Sequence, residues 1–260
     1  MKAYCINLDT RTDRLEHMEL LRSRVGLPFE RVRAFDSNDP ALASEAKRCV
    51  ADSDSKRLSV GSYAVFKSHR ACWSALVNST DSHAMILEDD VVLADDIAQY
   101  LETAWIPLDA DIVRLETYAT RVHVDRTDGI PAGARRLKRL RSRHIGTAGY
   151  ILARRTAADL LGRGIPSSWA VDEFLFNENS PVFGRLGIYQ MIPAPVVQGD
   201  RLHRPAGHEG WIKNSIKERY LDEVPSGRGG NSGFSRFKKR LREEIRSIRL
   251  GTRYVVVPFG

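Results

Sequence analysis

Cysteine is scarce in this 260-residue chain: Cys5, Cys49 and Cys72 are odd in number and far apart. That pattern argues against a disulfide framework or a cysteine zinc site and favours a reduced, cytosolic setting. Long apolar runs are missing too. No stretch approaches the roughly 20 residues that span a bilayer, and the start, MKAYCINLDTRTDR, has no apolar centre of a secretory leader. The expectation is a cytoplasmic chain that is not integral to a membrane. Aromatic residues are only 8% of the total and are not interleaved with the basic ones, which argues against nucleic acid as a partner. No glycine-rich loop follows the first apolar stretch, so neither a dinucleotide fingerprint nor a Walker loop is available.

What is present describes one sizeable α/β core with a small appendage. Ala3–Leu8 reads as a strand, Asp9–Gly26 as a helix with Leu15, Met18, Leu21 and Val25 on one face, and Phe29–Phe35 as a second strand. Strand, helix, strand starts a right-handed crossover and a mostly parallel sheet. Ligands bind at the carboxyl ends of such strands, which places Asn7, Asp9, Arg11, Arg14 and Asp36 near the mouth. Residues 37–58 are polar and read as a surface loop with one helical turn. Gly61–Asn78 reads as a helix carrying His69, Asp95–Trp105 as another, and Asp111–Glu116 as a strand. Tyr150–Ala153 gives a further strand and Thr156–Leu161 a helix, after a turn whose Gly146, Ala148 and Gly149 permit close backbone approach.

The centre of the chain is HAMILEDDVVLADD, residues 83–96. A short apolar run ends in three adjacent carboxylates, Glu88, Asp89 and Asp90, which repel one another unless a cation lies between them. Oxygen ligands favour Mg²⁺ or Mn²⁺, ions that keep open positions for phosphates. Alternation along an extended chain puts Glu88 and Asp90 on one side and Asp89 on the other. The competing reading is an acidic turn ahead of a helix. Six cations between Arg135 and Arg143 could neutralise these acids, cradle phosphate, or simply face solvent. Asp172 and Glu173 open a helical turn, where acids commonly complement the dipole.

Taken together, INLDTRTDR, FERVRAFD, GSYAVFKSHRACW, ILEDD, HIGTAGYILARRTAADLL, AVDEFLF and PAPVVQ resemble glycosyltransferase family 25, in order, from about residue 3 to residue 200. The resemblance implies a single GT-A-type Rossmann-like domain and inverting transfer from a UDP-sugar, often UDP-galactose, to an acceptor hydroxyl of a lipopolysaccharide or lipooligosaccharide. It implies a metal, Mn²⁺ or Mg²⁺, at Glu88 and Asp90; if the protein supplies a third ligand, His203 and His208 are the candidates. Asp172 matches the family's Val-Asp block as general base, with Glu173 the alternative. Asn7, Asp9, Arg11, Arg14, Asp36, His69, Glu88, Asp89, Thr147 and Gly149 form the expected donor-binding set. The chain departs from the family at GDRLHRPAGHEGW, where a serine-containing acceptor segment is expected.

The expected layout is a catalytic domain over 1–224, a linker over 225–233 and a basic amphipathic segment over 234–260. In that last part Phe234, Phe237, Leu241, Ile245 and Ile248 share a stripe, and seven Lys and Arg face two Glu over 234–250. It suits an anionic membrane surface at the inner leaflet, or docking on protein. Two other classes compete: a metal-dependent phosphohydrolase, which needs a tighter ligand cluster, and a non-catalytic polyanion-binding module.

Overall fold

A continuous apolar run has no polar face to give to water, so it must be covered on both sides. The computed structural model, which describes residues 1–50, 58–201 and 251–260, shows this for its first strand, β1 (Lys2–Asn7), buried from Ala3 onward. Ala3 and Cys5 enter one apolar cluster, Tyr4 and Ile6 the other. Helix α1 (Thr12–Val25) follows, buries Met18, Leu21 and Val25, and stops at Gly26, whose φ of 64° a glycine adopts without strain. Strand β2 (Glu30–Arg33) then lies parallel beside β1.

The polar stretch after β2 holds more helix than its composition suggests. Helix α2 (Pro40–Val50) starts behind Asp39, whose side chain accepts the Ala41 amide at 2.8 Å. Leu42 and Ala46, four residues apart, pack with Tyr63 and Ala64. Two apolar residues suffice because helix α3 (Val60–Val77), capped by Ser59, supplies the rest of the interface. Strand β3 (His83–Glu88) runs parallel to β1, and β4 (Val91–Leu93) follows at once. The helix expected over Asp95–Trp105 shrinks to a 3₁₀ turn at Ile97–Leu101, since Val91–Leu93 is committed to strand pairing and the Ala94 amide to Pro195.

The strand expected over Asp111–Glu116 splits in two. Its first half, β5 (Ile112–Arg114), joins the main sheet, and β6 (Glu116–Thr117) joins a second one. Strands β7 (Arg121–Asp125), β8 (Ile130–Ala132) and β9 (Arg135–Arg139) make an excursion before β10 (Gly149–Ala153). Then come α4 (Arg154–Gly162), α5 (Val171–Phe176), β11 (Ile188–Ile192), β12 (Val196–Gln198) and, at the end of the chain, β13 (Thr252–Val256).

The main sheet has eight strands in the order β2-β1-β3-β10-β5-β11-β9-β8. It is mixed rather than mostly parallel. The pairs β1·β2, β1·β3 and β5·β11 are parallel, whereas β10 lies antiparallel to both neighbours and β9 to both of its own. The excursion through β7–β9 brings the chain back from the opposite end, so β10 enters between β3 and β5 reversed. The smaller sheet, β4-β12-β6, lies beyond the ends of β3 and β5.

The last ten residues are part of this body. β13 pairs with β7, Val257 is buried, and its carbonyl accepts the Thr117 hydroxyl at 2.6 Å. Residues 251–260 are therefore not a continuation of a basic amphipathic helix. The stripe from Phe234 to Ile248, the linker 225–233, and His203 and His208 lie outside the described residues. Among the described residues no helix is long and apolar enough to cross a membrane.

Candidate active site

Where β1 and β3 end, the sheet meets the turn before β10 and the start of α5. A cleft of about 580 Å³ opens there, lined by Arg14, His69, Glu88, Asp89, Asp90, Gly146, Thr147, Asp172 and Glu173 among others. The three adjacent acids separate by environment. Asp89 accepts Arg14 Nη1 at 2.9 Å and Asn7 Nδ2 at 2.7 Å. Burial raises its pKa, opposed by the Arg14 charge and these hydrogen bonds. Glu88 turns to the other side, accepting the Thr147 hydroxyl at 2.8 Å with His69 Nε2 at 3.4 Å. Burial favours its neutral form, but His69, Thr147 and the Arg14 charge outweigh it and hold the pKa below the usual value.

Asp90 differs from both. Its Oδ2 lies 3.4 Å from Arg14, while Oδ1 is buried with no hydrogen-bond partner among the described residues. Burial, then the Glu88 charge, push its pKa up to about 7. An acid so placed is short of positive charge, and a divalent cation is the group that would supply it. Glu88 and Asp90 fit as two oxygen ligands of an ion that keeps its other positions for water or phosphate. Among the described residues no group of three or more His, Cys, Asp or Glu side chains could hold a metal alone.

One loop ties the acid side of the cleft to its opposite wall. Gly146 adopts φ 95°, and a Cβ there would meet the Tyr118 ring at 2.4 Å and Glu116 at 2.7 Å, so only glycine fits. Its amide reaches Asp172 Oδ2 at 3.2 Å, and Asp172 Oδ1 accepts the Glu173 amide at 2.8 Å. Burial raises the Asp172 pKa against these two amides. The next residue, Thr147, holds Glu88. The loop is fixed from below by Arg114, which donates to the carbonyls of Ile145 and Gly146, and by Glu116, which accepts the Ala148 amide at 2.9 Å.

Several expected site residues have other work. Glu173 is gripped through both oxygens by Arg143 and bonded by Asn177. Asn7 does not line the cleft; it is a bracket, holding Asp89 and the Arg11 carbonyl while accepting Arg31 at 2.9 Å. Asp9 pairs with Arg31 and Arg33 away from the cleft, and Asp36 closes a turn by accepting the Asn38 amide at 2.8 Å. Gly149 faces Val196, within 2.7 Å of where a Cβ would stand, so its missing side chain makes room for β12 and not for a ligand. Arg11 lines the cleft with its guanidinium paired to Asp13. The basic stretch is no open phosphate cradle: Arg135 pairs with Asp96, Arg139 with Asp109, Arg141 with Asp125 and Arg143 with Glu173.

Sequence reasoning missed Arg114, Glu116, Tyr118 and Gln198. The available signal was that Glu116 closes the apolar stretch expected as one strand, as Glu88 closes its own, although in the structure it opens β6. Asp200, two residues after the pocket-lining Gln198, also lies near enough for its charge to raise the Asp90 pKa.

The profile of glycosyltransferase family 25, described as LPS biosynthesis protein, matches residues 1–175. The chain is 30% identical over 274 aligned positions to the lacto-N-neotetraose biosynthesis glycosyltransferase LgtE of Neisseria meningitidis serogroup B, covering 94% of this chain and 96% of that one. It is 33% identical to the lipooligosaccharide biosynthesis protein lex-1 of Haemophilus influenzae over 56% of this chain, and there it spans about half, 51%, of the relative's length. A solved glycosyltransferase involved in glycosylation of the major capsid of PBCV-1 superposes over 76% of this chain and 92% of that one, with a TM-score of 0.40 at 11% identity, too slight a likeness to carry an argument. With the profile covering two thirds of the sequence and one relative aligned end to end, this chain belongs to glycosyltransferase family 25.

Proposed function

We propose that the chain moves a sugar, galactose or a related hexose, from a UDP-sugar to a hydroxyl of a lipooligosaccharide or lipopolysaccharide acceptor, with inversion at the anomeric carbon. The observation that carries this reading is the 146–147 loop, which binds Asp172 through one residue and Glu88 through the next, across a single cleft. A sugar set between them has a base on one side and the leaving-group site on the other.

Asp172 takes the proton of the acceptor hydroxyl as that oxygen bonds to the anomeric carbon, and the bond to UDP breaks on the opposite face with its electron pair leaving on the diphosphate. Burial suits Asp172 to this, because its proton affinity is raised while the Gly146 and Glu173 amides fix its direction. Glu88 and Asp90 would hold Mn²⁺ or Mg²⁺, which when bound supplies positive charge to the departing diphosphate. Arg14 remains beside Asp89 and Asp90 and restrains their repulsion.

The names of the relatives, lipooligosaccharide and lacto-N-neotetraose biosynthesis, support a surface glycan as acceptor. The basic stretch 234–250 supports contact with an anionic leaflet, which liposome sedimentation of the full chain and of one cut at residue 224 would test. The decisive experiment is a thermal-shift panel of UDP-sugars with and without Mn²⁺, followed by NMR of the product formed on a lipooligosaccharide acceptor. Stabilisation by one UDP-sugar only with metal, and a β product from an α donor, are the expected results. Release of free sugar or phosphate to water without acceptor transfer would favour the phosphohydrolase reading instead.

A further inference from the structure

Behind Glu88 stands a column of three side chains that the transfer chemistry does not touch. Trp73, Tyr150 and His69 are each fully buried, at 0% exposure. Trp73 Nε1 donates to Tyr150 Oη at 2.8 Å, Tyr150 Oη lies 3.0 Å from His69 Nδ1, and His69 Nε2 faces Glu88 Oε1 at 3.4 Å. The proton positions follow from chemistry. An indole N–H can only donate, so Tyr150 Oη accepts from it. The hydroxyl proton then has one acceptor within reach among the described residues, His69 Nδ1, and leaving a buried hydroxyl unbonded is unfavourable. With Nδ1 accepting, the ring proton sits on Nε2, which lies 3.4 Å from Glu88 Oε1, within ion-pair range but outside hydrogen-bond geometry. The opposite tautomer would set a nitrogen lone pair against Glu88 Oε1.

Resting on the donor-site reading of Glu88, we infer that Trp73, Tyr150 and His69 form a directional donor column that fixes the rotamer of Glu88. His69 Nε2 and the Thr147 hydroxyl both fall on Oε1, so Oε2 is the atom presented to the donor side of the cleft. His69 is thus a positioning residue rather than a sugar contact. The column originates on α3 and β10, so the acid at the tip of β3 is aimed by its two flanking elements.

Two substitutions separate this from a purely structural role. A glutamine amide nitrogen can take the place of Nε2, and an asparagine amide that of Nδ1. His69→Asn keeps the bond to Tyr150 and loses the donor to Glu88, whereas His69→Gln keeps the donor. The expected result is that His69→Asn lowers kcat by about 10–100-fold with KM for the acceptor unchanged, as loss of an outer partner typically does, and that His69→Gln restores most of it. Thermal melts of both variants check that each is folded. Equal activity in the two folded variants overturns the proposal.

A substrate-free readout is ¹⁵N NMR of histidine-labelled protein, with the His69 signal identified by its loss in His69→Asn. The spectrum should show the ring proton on Nε2, and Tyr150→Phe should shift it toward a tautomer mixture. A ring protonated at Nδ1 overturns the proposal. Since the spectrum needs no sugar, a chain that transferred nothing would end the functional reading while the tautomer was still measured.

Discussion

Two charged stretches of similar density end in opposite conditions. In the arginine-rich stretch around β9, Arg135, Arg139, Arg141 and Arg143 each find a separate acid, and Lys138 finds a backbone carbonyl. At the tip of β3, Glu88, Asp89 and Asp90 are close together with Arg14 shared between the last two, and Asp90 keeps a buried oxygen that no described residue bonds. Charge that is matched locally holds the fold together. Charge left short inside a cleft is a place for a ligand to complete.

The largest expected effect tests the chemistry on the far wall of that cleft. Asp172→Asn keeps the shape and removes the base, so kcat should fall by about 10²–10⁴-fold while the UDP-sugar still binds. The wild type should lose activity in acid, because protonated Asp172 cannot accept a proton. As burial raises its pKa, that loss should set in above the usual aspartate range, read from kcat/KM against pH. Glu173→Gln, which touches the Arg143 pair instead, should leave the acid limb in place.

Next comes the compensation at the acid tip. Arg14 is 8% exposed and sits 2.9 Å from Asp89 and 3.4 Å from Asp90. Arg14→Met leaves two buried carboxylates facing each other and should cost about 3–5 kcal/mol in denaturant unfolding. Mn²⁺ should recover part of the loss if Asp90 and Glu88 bind it. No recovery at saturating metal would mean that the acids are balanced by the protein alone.

A smaller effect lies under the loop that joins the two walls. His144 is buried against Gln190 at 2.9 Å, and burial followed by the Arg114 charge brings its pKa down to about 2. The unfolded chain takes up this proton near pH 6.5 and the folded one does not, so the unfolded state binds more protons and stability falls as pH drops below 6.5. At pH 5 the loss is about 2 kcal/mol, and His144→Gln should flatten that slope in a pH series of thermal melts.

How much of this could be read from the chain depends on how local each cause is. An apolar run stopped by acids announced β3 and the acid cluster at Glu88, because that pattern is complete within a few residues, whereas the two acids opening a helix read only as dipole complements and Asp172 entered through the family's Val-Asp block. Helix α2 was harder to see since, among the residues whose side chains are described, its buried face is Leu42 and Ala46, completed by α3. The reversed β10 could not be read from Gly149–Ala153, whose apolar run would fit either direction; the path through β7–β9 decides it. Gly149 looked like room for a ligand, but its need comes from Val196, 47 positions later. Asp9 and Asp36 sat near the right strand ends, yet their partners, Arg31, Arg33 and the Asn38 amide, lie on their own side of the mouth.

The smallest effect bears on the comparison most directly. Arg141 binds both oxygens of Asp125, at 2.7 and 3.0 Å, with its side chain about half exposed. Water already stabilises both ions in such a pair, so Arg141→Ala should cost only about 0.2–1 kcal/mol, lose most of that at high salt, and leave KM for the UDP-sugar unchanged. A rise in that KM of about tenfold, or 1.4 kcal/mol, would mean that the arginine strand reaches the diphosphate after all. The contrast between matched and unmatched charge would then fail, because a cation bonded in the free protein would have a second partner in the bound one.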